Sequence, residues 1–309
     1  MSPSRHTTVA ALGVLALAGT LALTGCTGSD PLNDPGASSS AAASGTIVIG
    51  SQDYYSNEIV AEIYAQALEG AGYSVDRQFR IGQREVYLPE IEAGDIDLFP
   101  EYTGNLLQYW EPDTTARLAD DVYTELQAAT PDGLRVLDQS PAADQDSYTV
   151  TREFADEWGL TTIDDLARVT VPLTLGANSE AETRPYGPEG LLATYGIEIG
   201  FTPIEDAGGP LTVKALKEGD IQVANIYSAD PTIAANDLVS LQDTKGLFLA
   251  SHVVPLASDN VDDAAAAIID EVNAAMSPDD LIALNARSVD EGLPASTIAA
   301  DWLTDKGLN

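Results

Sequence analysis

The chain is 309 residues long and carries 49 acidic but only 14 basic side chains, which gives a formal net charge of −35 at pH 7. This excess of carboxylates repels nucleic acid, because binding to phosphates requires cationic groups that displace counterions, and it repels anionic lipid headgroups too. The single cysteine excludes an intramolecular disulfide, so the fold must be stabilised by packing.

The first predicted element is a short apolar segment, residues 9–23, which follows a polar start at Arg5 and His6. It is too short and too rich in alanine and glycine to span a membrane, and it is typical of a secretory signal peptide, here residues 1–25. The only cysteine, Cys26, ends a Leu-Thr-Gly-Cys sequence that resembles the lipobox of bacterial lipoproteins. That resemblance implies cleavage before Cys26 and lipid anchoring on the outer face of the cell membrane. The alternative is an ordinary secretory signal followed by a stray cysteine.

The segment after the signal is poor in residues that could form a core. Residues 26–45 combine the cysteine with a serine-, alanine-, glycine- and proline-rich stretch, which is typical of a flexible linker that reaches roughly 20–25 Å. The globular body would begin near Thr46, and the residues from there onward are enough for two domains.

The first part of the body alternates short apolar strands with amphipathic helices. The pattern predicts, in chain order, strand 46–50, helix 57–70, strand 73–80, helix 84–93 and strand 96–99. Alternation of this kind predicts a mostly parallel sheet covered by helices on both faces. Ligands of such sheets bind outside the carboxyl ends of the strands.

Two pairs of segments indicate an internal repeat. Residues 91–102 and 216–227 both contain Gly-Asp-Ile, and they end on Tyr102 and Tyr227 respectively. The second pair, at nearly the same offset, is 46–52 and 172–178. The repeat predicts two α/β lobes of related plan, and if the lobes face each other, the two tyrosines face one cleft. Chance similarity of short stretches is the alternative.

Four motifs carry a resemblance to a known family. They are Ile-Val-Ile-Gly-Ser-Gln-Asp at 47–53, Ala-Glu-Ile-Tyr-Ala-Gln-Ala-Leu-Glu at 61–69, Gly-Gln-Arg-Glu at 82–85 and Asp-Leu-Phe-Pro-Glu-Tyr-Thr-Gly-Asn at 97–105. With these motifs the chain resembles the substrate-binding proteins of osmoprotectant ABC importers, which take up glycine betaine, choline, carnitine or proline betaine. The resemblance covers residues 46–309 and is strongest across 46–110.

The resemblance implies a two-lobed α/β fold of the type II periplasmic-binding-protein class, in which each lobe is a mostly parallel sheet flanked by helices. Two hinge crossings would join the lobes and the ligand would lie between them. Lobe one would comprise 46–147 plus 250–309, and lobe two 148–249. The implied function is an extracytoplasmic receptor that delivers a quaternary-ammonium solute to an ABC permease, as a monomer and without cofactor, metal or nucleic acid.

The chemistry of that ligand explains which side chains the site needs. A quaternary ammonium has no N–H and a diffuse positive charge, so aromatic ring faces hold it best, at about 0.5–2 kcal/mol per contact. The resemblance places Tyr102, Tyr148 and Tyr227 around this group. By the same resemblance, the main-chain carbonyl of Asp146 would point toward this group. Arg184 would pair with a betaine carboxylate, whose two oxygens suit the guanidinium fork.

Several positions depart from the family pattern. Gln52 stands where many relatives carry lysine, and Asn105 stands at a threonine-like position, so carboxylate recognition by these two site residues is expected to be weaker or different. Ser251 replaces the last tyrosine of the aromatic cage. His252 lies beside that gap, where it would line the pocket or belong to the hinge. An amino acid, ectoine or a polyol therefore remains an alternative to glycine betaine or a choline-like ligand.

Enzyme and structural classes find little support in the sequence. Only one histidine follows the signal, so a secreted hydrolase with a Ser-His-Asp or Cys-His site would depend entirely on His252, and zinc lacks the histidines and cysteines it needs. A carboxylate-pair glycosidase and an all-oxygen calcium site stay formally open, but no pair and no EF-hand loop stand out. A structural surface lipoprotein would not require paired lobes. We therefore expect a receptor and not an enzyme.

Overall fold

The structure is a computed structural model, and it describes residues 45–309. The predicted signal peptide 1–25, Cys26 and nearly all of the linker 26–45 lie outside the described residues. Within residues 45–309, no helix combines the length and the apolar character needed to cross a membrane.

The described residues contain ten strands and eleven α-helices. The strands are Thr46–Gly50 (β1), Ser74–Gln78 (β2), Leu98–Tyr102 (β3), Leu134–Val136 (β4), Tyr148–Thr151 (β5), Thr174–Ala177 (β6), Gly200–Pro203 (β7), Val223–Asn225 (β8), Leu238–Ser240 (β9) and Val253–Ser258 (β10). The helices are Tyr55–Gly70 (α1), Arg84–Ala93 (α2), Thr103–Trp110 (α3), Ala119–Ala129 (α4), Arg152–Trp158 (α5), Pro188–Tyr195 (α6), Pro210–Glu218 (α7), Thr232–Ala235 (α8), Asp263–Ala275 (α9), Pro278–Val289 (α10) and Ala295–Lys306 (α11). Two short 3-10 helices lie at Ile163–Arg168 and Ser179–Glu182.

The strands form two five-stranded sheets of the same plan, in the orders β2-β1-β3-β10-β4 and β7-β6-β8-β5-β9. In each sheet the first three strands are parallel, and the fourth runs antiparallel to both of its neighbours. That reversed strand, β10 or β5, is the one through which the chain enters the lobe after crossing from the other. The predicted two-lobed α/β fold is confirmed, with one reversed strand in each otherwise parallel sheet.

The internal repeat also holds at the level of single residues. Helices α2 and α7 both end at a glycine with φ of 81°, Gly94 in one lobe and Gly219 in the other, a left-handed conformation that glycine adopts without steric cost. The Asp97 carboxylate accepts a hydrogen bond from a main-chain N–H of β1 at 2.8 Å. At the equivalent position, the Gln222 side chain accepts one from β6 at 3.1 Å. The repeat seen in the sequence is therefore a repeat of structure.

The predicted elements of lobe one agree with the structure except at their ends. Strand β1 and helix α2 have the predicted bounds, whereas α1 begins two residues earlier and β2 is shorter than predicted. The third strand, predicted at 96–99, lies at Leu98–Tyr102. The cause is non-local, because Tyr102 pairs with Val253 of the distant β10. Tyr102 is thus the last residue of its strand and does not lie beyond it.

Helices cover both faces of each sheet, and this explains the buried strands. Helix α1 lies on one face of the first sheet together with α9, α10 and α11, and its Ile59 and Ile63 side chains are buried in the core. Helices α2, α3 and α4 cover the other face through side chains such as Tyr87 and Leu106. Burial of one such side chain contributes roughly 1.5–3 kcal/mol. The helices thus fix the ends of β1 and β3, where the chain turns toward the other lobe.

Two chain segments cross between the lobes, one leading from β4 to β5 and the other from β9 to β10. They lie side by side, because Ala143 and His252 form an antiparallel bridge and the Asp144 N–H donates to the Ser251 carbonyl at 3.2 Å. The Nδ1 atom of His252 lies 2.8 Å from the Ser140 carbonyl, which places this histidine in the paired crossings. The two paired crossings are the connections between the sheets of the two lobes.

Candidate ligand-binding cleft

The candidate site lies where the carboxyl ends of β1, β3 and β8 meet between the lobes. Beside a cavity of about 240 Å³ that shares Arg84, Asn105 and Arg184 with it, the inner cavity measures only about 10 Å³. Its lining combines aromatic, amide, acidic and basic side chains: Gln52, Tyr54, Arg84, Tyr102, Asn105, Asp144, Arg184 and Tyr227. A space of this size holds about one water molecule, so the lobes are closed on each other.

Three tyrosine rings form the aromatic part of the cavity. The ring of Tyr54 stacks on Tyr227 at a centroid distance of 5.0 Å and lies 6.4 Å from the ring of Tyr102. Tyr54 and Tyr102 belong to lobe one and Tyr227 to lobe two, so this contact spans the cleft. Burial raises the pKa of all three phenols, which are therefore neutral near pH 7. The cluster offers ring faces and hydroxyl groups, without charge.

A buried ion pair fixes the backbone beneath Tyr102. Glu101 is fully buried and accepts hydrogen bonds from Arg84 Nε at 2.9 Å and Nη2 at 2.8 Å, as well as from the Tyr102 N–H at 2.9 Å. The Tyr87 hydroxyl donates to the same carboxylate. Because all these partners are satisfied, the pair holds the end of β3 rigidly. The glutamate of the Pro-Glu-Tyr-Thr-Gly motif thus positions the neighbouring tyrosine ring.

The glycine of the same motif brings the return crossing close to the cleft. A Cβ on Gly104 would lie 2.8 Å from the Ala250 carbonyl oxygen and 2.8 Å from Leu249 Cβ. Only glycine permits that approach. The start of α3 therefore packs directly against the return crossing.

Two aspartates of the first crossing lie under the cavity, and neither has a cationic partner among the described residues. Asp144 accepts hydrogen bonds from the Ala229 N–H at 3.0 Å and from Ser56 Oγ at 3.3 Å. Burial raises the pKa of Asp144 to about 7, and the nearby acids Asp230 and Asp146 contribute to the increase. Asp146 is also buried, and its Oδ1 atom has no hydrogen-bond partner. The cleft therefore contains two carboxyl groups that no cationic side chain of the described residues pairs with.

Arg184 reaches across the cleft from lobe two to lobe one. Its Nη2 atom lies 3.0 Å from Glu85 Oε2 and 3.3 Å from Gln83 Oε1, and its Nη1 donates to the Tyr186 hydroxyl at 3.0 Å. Burial lowers the pKa of Arg184, but Tyr186 and Glu85 raise it by more, so the guanidinium stays charged. Its partners in the closed form are thus all protein groups.

The two amide residues of the predicted site also lie in the cleft. Asn105 donates to Asp146 Oδ2 at 2.6 Å and accepts from Ser251 Oγ at 2.8 Å, so it ties both crossings to α3. The main-chain N–H of Gln52 donates to Asn57 Oδ1 at 2.8 Å, whereas its buried side-chain Nε2 has no partner. That free donor can serve an oxygen of a bound solute.

Tyr148 lies apart from these groups. Its ring is fully buried in the core of lobe two, edge-on to Phe248 at 5.1 Å, and its hydroxyl donates to the Tyr186 carbonyl. It does not line the cavity of the closed form, and neither does His252. The structure thus brings together Tyr102, Tyr227, Gln52, Asn105 and Arg184 around one cavity and places Asp146 next to them.

The sequence analysis did not identify Tyr54, Asp144 and Arg84 as cleft residues. Tyr54 lies in the loop just after β1, at the carboxyl edge of the sheet, and this position alone could have identified it. Arg84 lies in the Gly-Gln-Arg-Glu motif, but neither its local sequence nor that of Asp144 indicates a place in the cleft. Their places depend on how distant segments pack.

A larger groove of about 810 Å³ lies on lobe two, away from these residues. It is bounded by the end of α7 and by Thr174, the first residue of β6, and it contains none of the predicted site residues. This edge of the sheet is opposite the carboxyl edge at which such folds bind ligands. The small cavity between the lobes is therefore the candidate site.

Comparison with known proteins agrees with this geometry. The family model for the substrate-binding domain of ABC-type glycine betaine transport systems, OpuAC, matches residues 45–305. The chain belongs to this family. Its members are solute receptors of ABC importers, so the family membership and the receptor function predicted from the sequence are confirmed.

Two curated relatives show the extent of the similarity. The chain is 26% identical over 280 residues to the glycine betaine-binding protein YehZ of Escherichia coli K12, covering 86% of this chain and 92% of YehZ. It is 27% identical over 265 residues to the carnitine transport binding protein OpuCC of Listeria monocytogenes, covering 82% of this chain and 80% of OpuCC. The similarity thus includes both lobes.

Solved structures of the family share the fold. A glycine betaine/carnitine/choline ABC transporter protein aligns with a TM-score of 0.69 at 21% identity, covering 85% of this chain and 99% of its own. Lactococcal OpuAC, solved in its closed form with glycine betaine, aligns with a TM-score of 0.63 at 15% identity, covering 85% of this chain and 96% of its own. At these identities the alignments support the two-lobed architecture alone.

Proposed function

We propose that this family member captures a quaternary-ammonium osmoprotectant, glycine betaine or a choline-like compound, between its lobes and delivers it to an ABC permease. The observation that carries the proposal is the combination of three packed tyrosine rings, two of them buried and that of Tyr227 half-buried, with two buried aspartates that lack a cationic partner. Ring faces and carboxylates both attract a cation that cannot donate hydrogen bonds. The relatives named for glycine betaine and carnitine support the same class of ligand.

The tyrosines and acids have complementary roles in this proposal. Tyr54, Tyr102 and Tyr227 would surround the methyl groups, at about 0.5–2 kcal/mol per ring. Asp146 would contribute its main-chain carbonyl and its unpaired Oδ1 atom, and Asp144 would become ionised beside the bound charge. Tyr148 stays a predicted ligand residue, but its ring would have to leave the core of lobe two to reach the ligand.

Ligand entry requires the lobes to separate. The closed cavity is smaller than a trimethylammonium group, and several interlobe contacts hold the lobes together, among them Arg184 with Glu85 and the Tyr55 hydroxyl with Asp230 Oδ2 at 2.8 Å. The paired crossings would serve as the hinge between lobe one, 46–147 plus 250–309, and lobe two, 148–249. A ligand that binds the closed form more tightly than the open form would shift this equilibrium.

The proposal includes an extracytoplasmic location. Signal peptidase would cut before Cys26, and an acyl chain on this residue would hold a monomer at the outer face of the cell membrane. The linker up to residue 45 would let the body move roughly 20–25 Å from the surface. That range would let the receptor meet the permease in the same membrane.

The test is calorimetric titration of the purified protein with glycine betaine, choline, carnitine, ectoine, proline and a neutral polyol. We expect saturable binding of quaternary amines and none of the polyol. A ligand at one hundred times its dissociation constant should add about 2.7 kcal/mol to the free energy of unfolding. Selective binding of the polyol, of ectoine or of proline would instead assign the receptor to another small solute.

A further inference from the structure

The guanidinium group of Arg184 has no free edge in the closed form. Its Nε and Nη2 atoms lie 3.0–3.3 Å from the carboxylate of Glu85. The remaining polar contacts go to Tyr186 and Gln83. The Nε–Nη2 edge suits a carboxylate because it can donate two parallel hydrogen bonds. Glu85 therefore occupies the position at which the carboxylate of a ligand would bind.

The second arginine that lines the cavity is unavailable too. Arg84 is bound through two nitrogen atoms to Glu101, and this pair is almost completely buried, with side-chain exposures of 5% and 0%. The pair of Arg184 with Glu85 is different, because 42% of the Glu85 side chain is exposed. Glu85 can move into water when Arg184 changes partner, but this exchange costs the existing ion pair.

The charge of the cleft changes the balance between ligand types. With both arginines paired, Asp144 and Asp146 are the acidic groups of the described cleft that lack a cationic partner. A cation without a carboxylate compensates them. A zwitterion brings a further carboxylate into the same space, where it must compete with Glu85 and lie near two acids.

We propose that Glu85 is a specificity-determining residue, which occupies Arg184 and thereby makes the cleft favour a carboxylate-free cation such as choline over a zwitterion such as glycine betaine. This inference rests on the proposed function and narrows its ligand class. The contact spans the two lobes, so Glu85 also stabilises closure. Its effect on closure is common to all ligands, whereas the competition affects only those with a carboxylate.

The experiment measures the ratio of the dissociation constants of glycine betaine and choline by calorimetry on the full chain. Glu85→Gln weakens the competing group while keeping its shape, and Glu85→Ala removes it. Glu90→Gln is the matched control, because Glu90 is exposed on the same helix and forms no ion pair among the described residues. We expect Glu85→Gln to shift the ratio about tenfold toward glycine betaine, the scale of one charge-assisted hydrogen bond. Glu85→Ala should shift it at least as far, and Glu90→Gln should leave it unchanged.

A double-mutant cycle identifies the partner. In an Arg184→Gln background, Glu85→Gln should no longer change the ratio, because no guanidinium remains to be released. If the wild type binds both compounds and Glu85→Gln leaves their ratio unchanged, or if the change persists without Arg184, the inference is wrong and the proposed function stands. If the folded wild type binds neither compound, the proposed function fails and the inference fails with it.

Discussion

Replacing Asp144 by asparagine is expected to stabilise the ligand-free protein near and above neutral pH while weakening its affinity for a cation. Burial raises the pKa of Asp144 to about 7, from an ordinary value of 3.8. Between these two values the folded state binds the proton more tightly than the unfolded state. Stability therefore falls as pH rises from about 4 to about 7, and this contribution stays lost above pH 7.

The magnitude follows from the size of the shift. About three pKa units correspond to roughly 4 kcal/mol over the whole window, and the part between pH 5 and pH 8 is about 3 kcal/mol. The new amide stays neutral throughout. Its oxygen can accept from the Ala229 N–H and its nitrogen can donate to Ser56 Oγ, so both hydrogen bonds of Asp144 have a replacement.

The assay is urea unfolding at pH 5 and pH 8 for the wild type, for Asp144→Asn and for Asp95→Asn, a control at an exposed position. The stability advantage of Asp144→Asn over the wild type should grow by about 3 kcal/mol from pH 5 to pH 8. The free energy of unfolding of the control should change between these pH values by the same amount as that of the wild type. The affinity of the wild type for choline should rise with pH up to about 7, because a bound cation favours the ionised carboxylate. Parallel stability curves for the wild type and Asp144→Asn would refute the reasoning.

Three further predictions concern the aromatic residues and the membrane anchor. Replacing Tyr102 or Tyr227 by alanine should weaken every quaternary ligand by about 1–2 kcal/mol in calorimetric titrations, and phenylalanine should be milder because it keeps the ring; unchanged affinities would exclude the aromatic site. Tyr148→Phe should lower the free energy of unfolding by about 1 kcal/mol, because it removes the hydrogen bond to the Tyr186 carbonyl, and it should leave ligand affinity unchanged. A marked loss of affinity in that variant would place Tyr148 at the ligand. Cys26→Ser should leave the protein uncleaved before residue 26 or release it from the membrane fraction, and a cleaved variant that still partitions into detergent like the wild type would contradict lipidation.

The sequence allowed the fold and two of the three tyrosines that line the cavity to be predicted, because both depend on patterns that recur along the chain. Strand and helix periodicities identified β1, α1 and α2, and the Gly-Asp-Ile repeat related Tyr102 to Tyr227 across the lobes. The end of β3 was misplaced because its last residues are held by β10, whose pairing no local pattern reveals.

The electrostatics of the site could not be predicted in the same way. The pKa of Asp144 depends on burial by segments far along the chain, including Ala229 and Asp230. Glu85 and Arg184 are 99 residues apart and meet only when the lobes close. A single sequence identifies charged residues, but it does not show which of them are partners.

The reversed strand of each sheet has a consequence for biosynthesis. Lobe two is built from one continuous stretch of chain, whereas lobe one needs β10 and the three C-terminal helices, which are made last. Until β10 arrives, one side of β3 is an open edge that can pair with other chains. We therefore expect lobe two to complete its core first as the chain folds, and we expect β3 to be the segment that most needs protection from aggregation until synthesis ends.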